Sequence, residues 1–313
     1  MAKRVLKTVT RTQGNNRALK DGTVTAPDFA FDFEEVNPLP RAFRAMVREG
    51  AYDVSEMALT TYITARAHGA KLTALPIFLV RDFHHKSMAA HAGAIANPKD
   101  LEGRRVGVNR GYTVTTGVWA RAILAQDYGV DLSQITWARS DDEHVPDWPR
   151  PANVEELGGE GSLEDQLRRG DIPAAVGLPA KGEGLVPIVE DAFDAGFKAL
   201  KTRGFYPINH LVVVRDDVLA EAPHVAVQVF DAFAAAKARH VEALRAGRVT
   251  DPSAVEKVEL AALEVMDDPL PYGIAPNLNV LELLMAQAVA QGIVDKPMPI
   301  ADLFAPAVRE RVA

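Results

Sequence analysis

Between Arg104 and Val130 the chain reads RRVGVNRGYTVTTGVWARAILAQDYGV, and Asn109, Arg110, Gly111, Thr113, Thr115 and Thr116 bring amide, guanidinium and hydroxyl groups together there. The run Arg105–Val108 predicts a short buried strand, and apolar residues at helical spacing from Tyr112 to Tyr128 predict a helix. The polar residues therefore fall where strand gives way to helix. The first N–H groups of a helix have no partner inside it and the dipole is positive there, so such a start suits a carboxylate or a phosphate. The same residues also fit a plainer reading, with Thr113 as a helix cap and Arg110 as a solvated charge.

A second stretch of this kind, YDVSEMALTTY from Tyr52 to Tyr62, passes from strand through a polar turn into helix and carries Ser55, Glu56, Thr60 and Thr61. Lys71 to Phe83, KLTALPIFLVRDF, is strand-like and ends in Arg81-Asp82-Phe83-His84-His85-Lys86-Ser87. A strand from Phe205, FYPINHLVVVR, has His210 near its start. Asp131–Ala138 predicts a strand followed by the loop SDDEHVPDWPRP, which holds Asp141, Asp142, Glu143 and His144.

The elements that must position these residues alternate in type. Strands are expected at 3–10, 29–36, 172–178 and 186–189, and helices after Pro38 and Pro40 and over 163–169. Residues 149–162, rich in Pro, Gly and Glu, predict an exposed or mobile connection. From Ala222 onward helices dominate, over 222–246, 253–265 and 280–292. Alternating strands and helices imply an α/β architecture with largely parallel sheets and ligand sites beyond the strand ends. The apolar runs 71–83 and 205–215 flank the segment 104–204 and predict two crossings between lobes. Lobe one would comprise 1–83 plus 205–313, and lobe two 84–204.

Composition bounds the partners. With 313 residues, 48% of them apolar, the chain can bury a sizeable core. Its net charge of −7 and scattered Lys and Arg argue against nucleic acid and anionic membranes, so an anionic ligand must be met by local cations. The absence of cysteine excludes disulfides, thiolate nucleophiles and cysteine zinc sites. The first residues, MAKRVLKTVTRTQGNNR, contain no apolar run of signal-peptide length, which gives cytoplasmic localisation as the expectation. The C-terminal helices carry enough apolar surface for a homo-oligomer, or for packing on their own lobe.

Six segments in this order, YDVSEMALTTY (52–62), LPIFLVRDFHH (75–85), RRVGVNRGYTVTTGVWARAIL (104–124), FYPINHLVVV (205–214), DPLPYG (268–273) and LFAP (303–306), resemble the 4,5-dihydroxyphthalate decarboxylases. That family is related to the type 2 periplasmic solute-binding proteins, and the resemblance covers most of the chain. It implies a two-lobed periplasmic-binding-protein-like fold with the ligand between lobes. It also implies non-oxidative loss of CO2 from an ortho-dicarboxylated catechol to give protocatechuate. The chain departs from the family pattern at Ala58-Leu59-Thr60-Thr61-Tyr62, in place of a Ser-rich run, and at Asn109-Arg110-Gly111-Tyr112, in place of a Pro-Glu-Tyr-like turn.

Such a decarboxylation needs no organic cofactor, because a phenolate para to the leaving carboxylate can donate electron density as a proton reaches the ipso carbon. The site must hold one carboxylate by cations and supply a general acid. Arg81 and Arg110 are the clamp candidates, since the guanidinium fork matches a carboxylate, with Ser55, Glu56, Thr60, Tyr112, Thr115 and Thr116 as further substrate-binding residues. An ion pair between Arg81 and Asp82 is the competing reading. His84, His210 and Glu143 are the candidates for proton transfer. Of the adjacent His84 and His85, strand alternation lets one face inward, and His84 is the choice. A divalent metal is possible, with His84, His85, His210, Glu56 and Glu143 as ligand types, though no metal-binding spacing links them. Lys71 and Lys86 could form Schiff bases, and Tyr112, Trp119, Phe83 and Tyr206 could stack on a flat ring. The alternative to catalysis is a substrate-binding protein for a small aromatic or dicarboxylic anion.

Overall fold

In the computed structural model, which describes residues 3–313, the chain builds two α/β units. The first runs to Asp82 and adds Ile208–Leu283 and Met298–Ala313, and the second takes Phe83–Pro207 and Leu284–Pro297. The chain opens with β1 (Arg4–Val9), α1 (Arg17–Lys20), β2 (Phe29–Glu34), α2 (Pro40–Glu49), β3 (Val54–Ala58), α3 (Leu59–Ala67) and β4 (Leu72–Arg81). The second unit follows with β5 (Met88–His91), β6 (Arg105–Val108), α4 (Thr115–Tyr128), β7 (Thr136–Arg139), β8 (Val154–Glu156), α5 (Leu163–Arg169), β9 (Ala174–Val176), β10 (Leu185–Pro187) and α6 (Ala192–Arg203). The last elements are β11 (Ile208–Arg215), α7 (Asp216–Glu221), α8 (His224–Arg245), α9 (Ala254–Ala262) and α10 (Leu278–Ala290).

The first sheet has the order β2-β1-β3-β11-β4. Strand β1 runs parallel to β2 and β3, whereas β11 runs antiparallel to both β3 and β4. The reversal follows from connectivity: the chain leaves this sheet at the end of β4 and re-enters at the same end, where Ile208 pairs with Arg81. Strand β4 lies at the sheet edge, which is where Pro76, with no N–H to give, is tolerated, and the register with β11 shifts there. Leu6, Phe29, Val54, Leu75, Val212, Val214, Phe230 and Phe233 form the centre of the first core, and α8 turns Val225, Val229, Phe230, Phe233 and Ala236 toward it at helical spacing.

The second sheet has the order β10-β5-β9-β6-β7-β8, parallel across β9, β6, β7 and β8 and antiparallel where β5 meets β9 and β10. Helix α4 is buried almost all round from Gly117 to Leu124 and stops at Gly129, which takes the left-handed conformation (φ 64°).

Several expectations are corrected. The helix expected from Tyr112 starts at Thr115, because Gly111–Val114 forms a turn with Val114 N–H bonded to the Gly111 carbonyl at 3.3 Å. The strand expected over 131–138 begins at Thr136, after a 3₁₀ turn over Leu132–Gln134. Strand β8 arises inside the stretch read as a connection, paired with β7. The region after 205 does not stay with the first unit, since residues 284–297 belong to the second. There Gln291 donates to the Val118 carbonyl at 3.1 Å, and the Trp148 indole N–H lies 3.2 Å from the Gly292 carbonyl. Helical periodicity names a buried face and not the neighbour that buries it. The apolar faces of α8 and α9 are covered within the first unit, and the large apolar residues left exposed among the described residues, such as Val265 and Leu278, are scattered. No helix among the described residues is long and apolar enough to cross a membrane.

Candidate active site

In the first unit the candidate side chains gather at one end of the sheet. The register pairs His210 with both Ala58 and Val80, so the C-terminal ends of β3 and β4 and the start of β11 lie together. Glu56, fully buried, accepts a hydrogen bond from the Arg11 backbone N–H at 2.8 Å, and its other oxygen meets His210 Nδ1 at 2.6 Å. The His210 side chain is 15% exposed and packs edge-on against Phe43, so Glu56 fixes one ring nitrogen and directs the other away. Ser55 and Thr60 are also fully buried, with Ser55 Oγ donating to the Glu56 carbonyl at 2.7 Å. Arg81 is 2% exposed, lies over the Phe78 ring, and donates from Nη2 to Asn277 Oδ1.

In the second unit the strand ends of β6 and β7 meet through Arg110, whose backbone N–H donates to Ser140 Oγ at 2.8 Å. Arg110 itself is exposed and in the left-handed region (φ 69°). Glu143 does something the sequence did not suggest. Its carboxylate accepts from Tyr112 N–H at 2.6 Å, Thr113 N–H at 3.1 Å and Thr113 Oγ1–H at 2.7 Å. A Cβ at Gly111 would stand 2.5 Å from Glu143 Oε2, so the absence of a side chain there makes room for this carboxylate. Two amide donors of the stretch expected to meet a ligand, those of Tyr112 and Thr113, are thus taken by the chain's own acid, and Glu143 serves as an acceptor that holds the turn ahead of α4.

Arg121, absent from the sequence reading, completes this arrangement. Fully buried, it lies 3.7 Å over the Tyr112 ring, donates from Nη2 to the Tyr112 carbonyl at 2.7 Å and from Nε to Gln291 at 2.7 Å. Burial pulls its guanidinium below the usual arginine range, against the opposing influence of Tyr112 and Glu143. Gly117 inside α4 was the available signal: a Cβ there would meet Arg121 Nη1 at 3.2 Å.

His84 and His85 lie in a 3₁₀ turn and not on a continuing strand, so alternation does not separate them; they are 1% and 2% exposed. His85 Nε2 lies 3.4 Å from Asp127, which also takes a two-pronged contact from Arg203 at 2.7 and 2.9 Å. Burial opposes ionisation of Asp127, but His85 and Arg203 outweigh it and hold the carboxyl down at about 2. The aromatic residues read as possible stacking partners are taken up in packing: Tyr112 stacks on Trp148 at 5.7 Å, Trp119 meets Phe205, and Phe83 meets Tyr206 and Phe193. Thr115 is buried and Thr116 half-buried at the start of α4. Helices α3 and α4 follow Ala58 and Val114, which have no side chain able to cap, whereas α5 and α9 carry full capping boxes at Ser162 and Ser253. Glu56 and His210 belong to the first unit and His84, His85 and Glu143 to the second, and no three His, Cys, Asp or Glu residues are grouped to hold a metal among the described residues.

Two α/β units, each with candidate polar groups at one end of its sheet, define the class as an α/β protein of the periplasmic-binding-protein type. The solved structures agree on that fold. The desulfurization enzyme DszB superposes with a TM-score of 0.56 at 15% identity, covering 97% of both chains. The aliphatic sulphonate binding protein SsuA from Escherichia coli gives 0.55 at 13%, covering 97% of this chain and 92% of the other. Residues 36–147 match the NMT1/THI5 like family. The 4,5-dihydroxyphthalate decarboxylase of Comamonas testosteroni is 30% identical over 324 residues, covering 94% of each chain. The chain belongs to the 4,5-dihydroxyphthalate decarboxylase family, and with it to the carboxy-lyases.

Proposed function

We propose that this protein decarboxylates a hydroxylated aromatic dicarboxylic acid of the 4,5-dihydroxyphthalate type, giving protocatechuate and CO2 without oxidation. The observation that carries the reading is the Glu56–His210 pair, a buried carboxylate 2.6 Å from one imidazole nitrogen, at the strand ends that also bear Arg81. With Nδ1 held by Glu56, Nε2 is the nitrogen that can deliver a proton.

The steps balance. The phenolate para to one carboxylate pushes electron density to the carbon bearing it, and His210 Nε2–H gives its proton to that carbon. The bond to the carboxylate then breaks, its electron pair restores the aromatic ring, and CO2 leaves. His210 recovers a proton from water. Arg81 holds the carboxylate that stays, with Ser55 and Thr60 as neighbouring hydroxyls. In the second unit, Arg110, Thr115 and Thr116 lie on either side of the turn that Glu143 braces and are the groups assigned to an anion there.

Incubating the protein with 4,5-dihydroxyphthalate should release CO2 and protocatechuate in equal amounts. A second reading, reversible binding of an aromatic or dicarboxylic anion, draws on the sulphonate-binding proteins that share the fold. Tight binding with no CO2 would support that reading and end the first.

A further inference from the structure

Two family-like segments, DPLPYG and LFAP, take no part in the steps above, yet both lie against β4. As an edge strand β4 exposes a row of carbonyls. Ala305 N–H covers that of Ala74 at 2.9 Å, Gly273 N–H that of Pro76 at 2.8 Å, and Asn15 Nδ2 that of Leu79 at 2.8 Å. The Tyr62 hydroxyl accepts from Ala74 N–H at 3.1 Å and donates to the Leu303 carbonyl. Tyr272 N–H bonds the Ala313 carbonyl at 2.7 Å. Arg81 is the last residue of the strand held in this way.

The turn at DPLPYG has a defined shape. Gly273 sits at φ 110°, and a Cβ there would lie 2.5 Å from the Arg311 carbonyl, so no L side chain fits. This shape presents the carbonyls of Pro271 and Gly273 to Asn277, whose Nδ2 donates to them at 2.9 and 2.7 Å. With both amide hydrogens engaged, Oδ1 can point only the other way, toward Arg81 Nη2. Turning the amide over would set its oxygen against two carbonyls. Asn277 and Arg81 are each 2% exposed.

We propose that Asn277 is a positioning residue that aims the Arg81 guanidinium at the substrate carboxylate, its own orientation set by the DPLPYG turn. The task assigned to Arg81 rests on the decarboxylase reading; the aiming of Arg81 does not. Arginine has many rotamers, and a neutral amide restrains the fork without putting a competing carboxylate on it. Aspartate would keep the size of Asn277 but lose both donations and place a negative charge on the clamp.

The test uses the full chain as wild type, Asn277→Ala, Asn277→Asp, Arg81→Lys and the double variant Arg81→Lys/Asn277→Ala. In the ligand-free protein, NMR of arginine side chains should give a slowly exchanging Arg81 Nη2 proton that Asn277→Ala abolishes. Calorimetry with 3,4-dihydroxybenzoate should read about a tenfold or greater loss of affinity in each single variant, while catechol, which lacks the carboxylate, binds all of them equally. Asn277→Asp should lose at least as much as Asn277→Ala, and the double variant no more than Arg81→Lys alone. With 4,5-dihydroxyphthalate, KM should rise more than kcat falls. An unchanged Arg81 signal in Asn277→Ala, unchanged 3,4-dihydroxybenzoate affinity in Asn277→Ala where Arg81→Lys loses it, or equal losses for 3,4-dihydroxybenzoate and catechol would overturn the proposal. If the Arg81 signal is lost but even Arg81→Lys binds 3,4-dihydroxybenzoate normally, the aiming stands and the carboxylate clamp falls.

Discussion

The starts of α3 and α4 are built from similar residues and put to different uses. Each follows a strand end, each lacks a capping side chain at the residue before it, and each has a buried glutamate close by. At α3 the acid, Glu56, lies on the preceding strand and meets a titratable partner, His210. At α4 the acid, Glu143, comes from a neighbouring loop and meets two amides and a hydroxyl, which cannot act as proton carriers at ordinary pH. A buried carboxylate beside a histidine can take part in moving a proton, whereas one beside fixed N–H and O–H donors keeps a turn in shape. The cations divide in the same way: Arg81 closes a strand end, while Arg121 is spent inside its unit on Tyr112 and Gln291.

That difference predicts separable phenotypes. The largest effect is expected at His210: His210→Asn should lower kcat about a hundred- to ten-thousandfold while substrate still binds, as loss of a general acid does. A kcat within threefold of wild type would erase the contrast. Next is Glu143→Ala, which leaves three donors of the α4 turn without their acceptor. It should cost about 2–4 kcal/mol in urea unfolding of the chain, with the folded fraction keeping much of its kcat. Full stability with lost turnover would mean that Glu143 handles protons after all. Arg121→Lys keeps the charge but not the fork, and should cost about 1–3 kcal/mol by the same assay. An unaffected midpoint would show that the stack on Tyr112 contributes nothing.

The smallest effect concerns acid stability. The Asp127 carboxyl is held down at about 2 from its ordinary 3.8, so the native state binds fewer protons there than the unfolded chain. Its contribution is present above about pH 4 and is lost as pH falls toward 2. Asp127→Asn should lower stability by about 1–2 kcal/mol at neutral pH and flatten the acid limb of the unfolding curve. A variant whose acid limb overlays that of wild type would remove Arg203 and His85 as the cause.

Much of the fold could be read from the residues, and rather less of the site. Period-two and period-3.6 patterns located β1, α8 and α9, whereas β4 and β11 stood out as apolar runs because consecutive residues are buried on both of their faces. Strands of three residues, such as β8, are too short to have a period, and they exist only by pairing with a neighbour. Among the site residues, Glu56, expected in a polar turn, lies inside β3, which runs straight into α3 at Leu59, whereas the strand-end positions of Arg81 and His210 followed from where the apolar runs stop. The role of Glu143 did not, since it depends on a loop after β7 folding back on a turn after β6, a contact across 30 residues. Asn277 was still harder to find, at 196 residues from Arg81 and between the DPLPYG segment and the helix expected from 280, where no pattern was read.

The most direct measurement sets His210→Asn beside Glu143→Gln in one assay of CO2 release from 4,5-dihydroxyphthalate, with substrate affinity measured in parallel. The account predicts that His210→Asn binds substrate and releases almost no CO2, while Glu143→Gln releases it at close to the wild-type rate per folded molecule. Rapid CO2 release by His210→Asn, together with a silent but folded Glu143→Gln, would contradict it.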